Sequence, residues 1–333
     1  MNILVTGGAG FIASAIVRQL VREQRGQVVN VDKLTYAADL SRLDECRHSA
    51  NYHFVQADVN DQAVMRQLLA DYQIGAVIHA AAETHVDRSI GSPEPFLHSN
   101  VAGTYALLEV LRSHLETLTE TERETFRLVQ ISTDEVYGDL VGEEKAKESA
   151  PYRPSSPYAA SKAAADHLVR AWSRTYGIPS LITHSANNYG PGQHPEKLIP
   201  KVIAQALARK PIPVFGAGNQ VRDWIHVEDH GRAVITVLDH GRLGESYNIS
   251  TGDERVNLDL IRQLCDIIDR CVDSNSEAGV FQHQQLIEHV EDRPGHDMRY
   301  AMNADRLTQL GWTPQIDFEQ GLKATILSAL NYT

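Results

Sequence analysis

Two side chains in this sequence are spaced to handle a proton together. Tyr158 and Lys162, in the run Tyr158-Ala159-Ala160-Ser161-Lys162, lie four residues apart, so a helix stacks a phenol against an ammonium on one face. A free phenol ionises near pH ~10 and a neighbouring cation favours the phenolate, which fits Tyr158 to act as a base near neutrality. Such pairs recur by chance on exposed helices, and here Pro154-Ser155-Ser156-Pro157 marks the start of one. A second group is Ser132-Thr133-Asp134-Glu135-Val136-Tyr137-Gly138, whose adjacent carboxyls can divide acid and base duties if their environments separate their pKa values. Acids also cap turns, so this run alone does not define a site.

A third group suits a dinucleotide. Gly7-Gly8-Ala9-Gly10-Phe11-Ile12-Ala13 directly follows a β-branched run and opens a helical one. Glycines there let backbone approach a pyrophosphate, and the helix N-terminus offers it N–H groups and positive dipole. Asp32 ends the second strand, 22 residues after Gly10. A carboxylate at that place accepts bonds from an adenosine ribose and repels a 2′-phosphate, which selects NAD over NADP.

These groups need a scaffold that brings their carriers to one edge. To about residue 180 the chain alternates short β-branched runs, turns and amphipathic stretches, the pattern of a doubly wound parallel sheet of Rossmann type in an α/β fold. Strands are predicted at 3–6, 28–31, 53–56, 76–79, 128–132 and 180–183. After Asn187 the chain is broken by Gly190-Pro191-Gly192, Pro195, Pro200, Pro211, Pro213 and Gly216-Ala217-Gly218, which predicts a second, smaller α/β lobe. The expected division is a cofactor lobe over 1–185 and a mainly substrate-binding lobe over 186–333, with a return to the first at about 220–245 through the apolar helical stretch 229–238. The polar segment 138–156 reads as a long functional loop.

Composition bounds the partners. The chain has 333 residues, enough for about two domains, with 31 Lys and Arg against 43 Asp and Glu and a net charge of −12. That balance excludes a sequence-independent grip on nucleic acid or anionic membrane and leaves any anionic ligand to a few local cations. No apolar run is long enough for a membrane span, and the start lacks a signal-peptide pattern. Cys46, Cys265 and Cys271 form no metal-like or paired spacing, which points to a reducing cytoplasmic setting. Fifteen histidines show no clustered ligand pattern, so no metal is expected.

Together these motifs resemble the extended short-chain dehydrogenase/reductases and, more narrowly, the dTDP-glucose 4,6-dehydratases. The likeness runs through Thr6-Gly7-Gly8-Ala9-Gly10-Phe11-Ile12, Val31-Asp32-Lys33-Leu34-Thr35-Tyr36, His85-Val86-Asp87-Arg88-Ser89, Thr133-Asp134-Glu135-Val136-Tyr137-Gly138 and Ser156-Pro157-Tyr158-Ala159-Ala160-Ser161-Lys162. It continues in Asn187-Asn188-Tyr189-Gly190-Pro191, Pro195-Glu196-Lys197-Leu198-Ile199-Pro200, Arg222-Asp223-Trp224 and Arg293-Pro294-Gly295-His296-Asp297. The resemblance implies a recycled NAD, a nucleotide-diphosphate hexose substrate and a homodimer formed through helices near 101–114 and 158–176. It implies that Gly7, Gly10, Phe11 and Ile12 line the cofactor, that Asp32, Lys33 and Thr35 hold its adenosine ribose, and that Asp58 and Val59 lie near adenine. Tyr158 and Lys162 meet both cofactor and sugar, and Thr133, Asp134 and Glu135 complete the catalytic set. Thr84 meets the sugar, Arg222 and Arg293 clamp the diphosphate, and Phe215 and Asn187 face base and phosphates. Glu196, Lys197, Asn248 and His296 complete the substrate site.

By the same resemblance Tyr158 takes the 4-hydroxyl proton, Glu135 the C5 proton, and Asp134 protonates the departing 6-hydroxyl. Departures from the family pattern stand at Ala13, Thr84, Arg153, Gly192 and Phe215. Arg153 and Gly192 border the expected sugar pocket and leave the hexose open, as the sequence leaves thymidine against uridine. A nucleotide-sugar 4-epimerase shares the cofactor and Tyr158 but needs no carboxyl pair; a non-catalytic NAD-binding scaffold needs neither.

Overall fold

The computed structural model describes residues 1–140, 142, 144–272 and 281–331. Six strands fall where the sequence places them: β1 (Asn2–Thr6), β2 (Val28–Asp32), β3 (Tyr52–Gln56), β4 (Ile74–His79), β5 (Arg127–Thr133) and β6 (Ser180–Ser185). Between them run α1 (Phe11–Arg22), α2 (Gln62–Asp71), the short α3 (Val86–Gly91) and α4 (Glu94–Phe96), α5 (Gly103–Leu115), α6 (Glu120–Thr125) and α7 (Pro157–Tyr176). The rest of the chain adds β7 (Asn187–Tyr189), α8 (Leu198–Leu207), β8 (Ile212–Phe215), β9 (Val221–His226), α9 (Val227–His240), β10 (Ser246–Ile249), β11 (Glu254–Val256), α10 (Asn257–Val272), β12 (Ile287–Val290), α11 (Asp305–Thr308) and α12 (Phe318–Asn331).

The main sheet has seven strands in the order β10-β6-β5-β4-β1-β2-β3, each pair parallel. Order reverses between β1 and β4, so the carboxyl ends of those strands open a crevice suited to a ligand. Both faces are covered. On one, Ile16, Val17 and Leu20 of α1 meet Val234 and Val237 of α9; on the other, Met65 and Leu69 of α2 join Leu107 and Leu111 of α5 and Val169 of α7. Double coverage explains the nearly unbroken apolar runs Ile3-Leu4-Val5 and Val28-Val29, since neither strand has a wet face.

The seventh strand, β10, lies beyond the expected return at 220–245 and was not foreseen. Ser246-Tyr247-Asn248-Ile249 is short and half polar, and periodicity does not separate it from loop. α9 brings the chain back to the main sheet, pressed so closely on α1 that a Cβ at Gly231 would lie 2.7 Å from the Gln19 side chain. The second lobe holds a three-stranded sheet in the order β11-β9-β7 and a parallel pair β12-β8. Ile199, Ile203, Leu264, Ile268, Leu322 and Ile326 fill the core between them. The segment 138–156, of which 141 and 143 lie outside the described residues, is largely irregular, as expected, but Ala146 bridges to Met302 and ties it to the second lobe.

Candidate active site

A cavity of about 320 Å³ lies where the carboxyl ends of β1, β4, β5 and β6 face the second lobe. The β1–α1 turn forms its floor. Gly7 has φ +71°, and a Cβ there would sit 2.7 Å from the Ala81 backbone, so only glycine lets the turn pass that close. Gly10 caps α1 without any side-chain cap, which leaves the helix-start N–H groups to a ligand. Gly7, Gly10, Phe11 and Ile12 all line the cavity.

Asp32 is buried at the end of β2 and also lines it. Its carboxylate accepts the N–H of Ala9 at 3.0 Å and of Leu34 at 2.8 Å, so it braces the glycine turn while presenting negative charge. Lys33 pairs with Asp58 at 3.4 Å and donates to Ser99 Oγ at 3.1 Å; Thr35 and Val59 complete this end. A glycine cradle, an uncapped helix start and a carboxylate at the second strand fit a dinucleotide without a 2′-phosphate.

At the other end stand the proton-handling groups. Thr133 closes β5, donates to Asp134 Oδ1 at 3.1 Å and accepts the Glu135 N–H at 3.3 Å, which starts a single tight turn over Asp134–Tyr137. Asp134 is 4% exposed, and its Oδ2 has no hydrogen-bond partner among the described residues. Burial, then the Glu135 charge, pushes its carboxyl up to about 8. Glu135 is half-buried; burial raises its pKa, while the cations Arg222, Arg293 and Lys197 pull it back. The two adjacent acids therefore occupy different electrostatic settings, one short of cations and one ringed by them.

Tyr158 and Lys162 project from the start of α7, fixed by Pro157 and by Ser156 Oγ accepting the Ala159 N–H at 3.0 Å. Both are nearly enclosed, at 7% and 5% exposure. Lys162 Nζ donates to the Ile131 carbonyl at 2.6 Å. Burial lowers its pKa, and Asp166 opposes that shift. At the phenol, burial and acidic neighbours oppose the ionisation that Lys162 is expected to favour. Burial, then Glu135, raises Tyr158 well above its ordinary value, against a hydrogen bond with Thr133.

Thr84, Asn187, Glu196 and Lys197 line the cavity from the substrate side. Lys197 Nζ donates to the Thr84 carbonyl at 2.9 Å, and Glu196 accepts the Tyr36 hydroxyl at 3.1 Å, so the second lobe is fastened over the first. Arg222, Arg293, His296 and Phe215 form a neighbouring group outside the cavity lining. Arg222 lies over the Tyr300 ring at 4.1 Å and donates to the Asp297 carbonyl at 2.8 Å. Arg293 pairs with Asp87 at 2.9 Å, and His296 bonds Asp292 at 2.6 Å with Phe215 edge-on at 6.2 Å. Their charges reach the site, since Arg222 and Arg293 act on Glu135.

Asn248 does not belong to this set. It is fully buried in β10, where its carbonyl accepts the Tyr137 hydroxyl at 2.8 Å and its amide donates to the Ala146 and Asn303 carbonyls. With carbonyl and amide so engaged, it is a structural residue rather than a substrate contact. Residues that the sequence reading missed include Ala80, Glu83, Ser99, Ser132, Ser185 and Trp224, all in the lining. Several lie just past or at the carboxyl ends of β4, β5 and β6, and the rule that open sheets bind there would have found them.

A hydride-transfer scaffold carrying this phenol and ammonium at its switch point defines the class of extended short-chain dehydrogenase/reductases. The family model described as GDP-mannose 4,6 dehydratase matches residues 4–325. A dTDP-glucose 4,6-dehydratase of Neisseria gonorrhoeae is 50% identical over 98% of this chain and 94% of its own length. One from Haemophilus influenzae is 49% identical over 98% and 97%. The solved dTDP-glucose 4,6-dehydratase of Streptomyces venezuelae with NAD bound superposes with a TM-score of 0.90 at 38% identity, covering 99% of this chain and 97% of that one. The chain belongs to the dTDP-glucose 4,6-dehydratases, within the GDP-mannose 4,6 dehydratase family.

Proposed function

We propose that the chain converts dTDP-glucose to dTDP-4-keto-6-deoxyglucose with loss of one water. The observation that carries this reading is the pair Asp134 and Glu135 at the cavity beside Tyr158, because elimination needs an acid and a base beyond those of simple oxidation. The glycine turn, Asp32, Lys33, Thr35, Asp58 and Val59 would hold NAD, which when bound would accept hydride from C4 and return it to C6 and so be recycled.

Tyr158 takes the 4-hydroxyl proton as the 4-ketone forms. That ketone acidifies C5, from which half-buried Glu135, steadied by nearby cations, removes a proton. Asp134, which keeps its proton at neutral pH, gives it to the 6-hydroxyl as water leaves. Glu135 returns its proton to C5 as C6 is reduced. Lys162 holds positive charge beneath the phenol, Thr84, Asn187, Glu196 and Lys197 border the hexose, and Arg222 with Arg293 supplies the cations for the diphosphate.

Among the described residues no helix is long and apolar enough to cross a membrane. We place the enzyme in the cytoplasm as a homodimer. Support for the dimer is an aromatic face on α5 and α7, where Tyr105 and Tyr176 stay exposed on either side of Trp172. The test of function is incubation with dTDP-glucose and UDP-glucose, read by mass spectrometry. Loss of one water from the thymidine substrate supports the reading. An unchanged mass with inverted C4 identifies an epimerase, and no turnover a scaffold.

A further inference from the structure

The stripe that begins with Tyr158 and Lys162 does not end there. Asp166 and Arg170 follow at the same four-residue spacing on α7, so one helix face carries phenol, ammonium, carboxylate and guanidinium in alternating charge. Asp166 is completely buried. Its Oδ2 accepts the Ser132 hydroxyl at 2.6 Å and the Tyr152 hydroxyl at 3.1 Å, while Oδ1 has no hydrogen-bond partner among the described residues. Tyr152 also meets His184 Nε2 at 2.6 Å and receives Arg170 Nη2 at 2.9 Å. Nothing in the reaction uses this carboxylate directly. A buried charge is costly, and beyond the two hydroxyls Asp166 has His184 Nε2 at 3.6 Å from Oδ2 and Lys162 one helical turn back.

We propose that Asp166 is a positioning residue that holds Lys162 in its ammonium form. This rests on the assignment of Tyr158 and Lys162 as the base and its cation. Lys162 has only one hydrogen bond among the described residues, to a neutral carbonyl, and Asp166 one helical turn on is the acid that favours its charge. The other groups around the pair come from every side: His79 on β4, His184 on β6, Tyr152 and Glu148 in the 138–156 segment, Tyr137, Asp134 and Glu135 after β5, and Arg170 on α7. His79 is held neutral by burial and by Lys162, pushed down to about 3, so it adds no second positive charge beside the ammonium. Asp166 also acts weakly against the Tyr158 phenolate. Asp166 stands one helical turn from Lys162 and two from Tyr158, so its charge bears more on the ammonium than on the phenol.

The experiment is the pH profile of single-turnover NAD reduction in the holoenzyme, with dTDP-glucose as substrate, for the wild type, Asp166→Asn, Asp166→Ser and Asp166→Glu. Loss of an opposite charge one helical turn from Lys162 shifts its titration by roughly one to two pH units. Both neutral variants should therefore bring the alkaline limb down by that amount, and Asp166→Glu should restore it. Serine keeps a hydroxyl for Ser132 and Tyr152, so it reads the charge even if the asparagine variant does not fold. In protein carrying ¹⁵N at lysine Nζ, the Lys162 signal, identified by its loss in Lys162→Arg, should titrate earlier by the same shift. An alkaline limb that stays in place in both neutral variants, with only a lower plateau, overturns the proposal and makes Asp166 a packing residue. The assignment it rests on fails separately, if Tyr158→Phe reduces NAD at the wild-type rate.

Discussion

Asp134→Asn should cost activity and return pH-resistant stability. The carboxyl is pushed up to about 8 by burial and by Glu135, against an ordinary value of 3.8 in the unfolded chain. The folded state therefore holds a proton that the unfolded state has released over the interval between those values. Stability from this group is fully present below pH ~4, declines as pH rises, and levels off above the folded value. At about 1.36 kcal/mol per pH unit, the wild type loses about 4 kcal/mol between pH 5 and pH 8 from this residue alone. Asparagine does not titrate, so its loss over that interval is smaller by the same amount. It places an amide where Oδ2 has no partner among the described residues, a penalty of about 1–3 kcal/mol that is the same at every pH. The diagnostic is therefore the slope of the difference. Urea unfolding of the NAD-free proteins, followed by the fluorescence of the three tryptophans at pH 5, 6, 7 and 8, measures it. Curves that stay parallel within about 1 kcal/mol would refute the assignment of Asp134 as a proton-bearing acid.

The same variant should slow elimination by about 10²–10⁴-fold while leaving C5 proton abstraction to Glu135. In deuterated water it should place deuterium at C5 of recovered hexose faster than it forms dehydrated product, whereas Glu135→Gln should oxidise C4 and incorporate little; the opposite pattern exchanges the two roles. Tyr158→Phe should abolish NAD reduction with nucleotide-sugar binding retained, checked by stopped-flow absorbance and calorimetry. Arg222→Ala should raise KM far more than it lowers kcat, and an equal fall of kcat and kcat/KM would remove Arg222 from ground-state diphosphate binding.

Much of this was legible in the sequence, because the features involved are local. A glycine turn after a strand, an acid ending the next strand, and a phenol four residues from an ammonium are set by spacing within one or two elements. The cores of the first six strands and the return helix at 229–238 were visible for the same reason. What sequence could not show depends on long-range contact. Asn248 looked like a ligand residue by resemblance, yet Tyr137, Ala146 and Asn303 consume its hydrogen-bonding groups. Ser132 and Tyr152 looked like an ordinary strand residue and a loop residue until folding placed both on Asp166. The burial of Tyr158, which opposes the phenolate, has no signature in the spacing.

The late arrival of β10 governs how the chain can be divided. A fragment ending near residue 185 would contain β1 to β6 but leave β6 as a bare edge, a template for unwanted pairing. It would also lose Val234, Val237 and Leu238 of α9, together with Tyr247 and Ile249 of β10, from one face of the core. The half that holds the dinucleotide is thus not a detachable cassette. During synthesis its sheet stays open until residue 249 has emerged, by which point β7, α8, β8 and β9 have already been made. Exchange of substrate-binding segments between relatives must therefore splice two pieces, one between β6 and α9 and one after β10, around a shared framework.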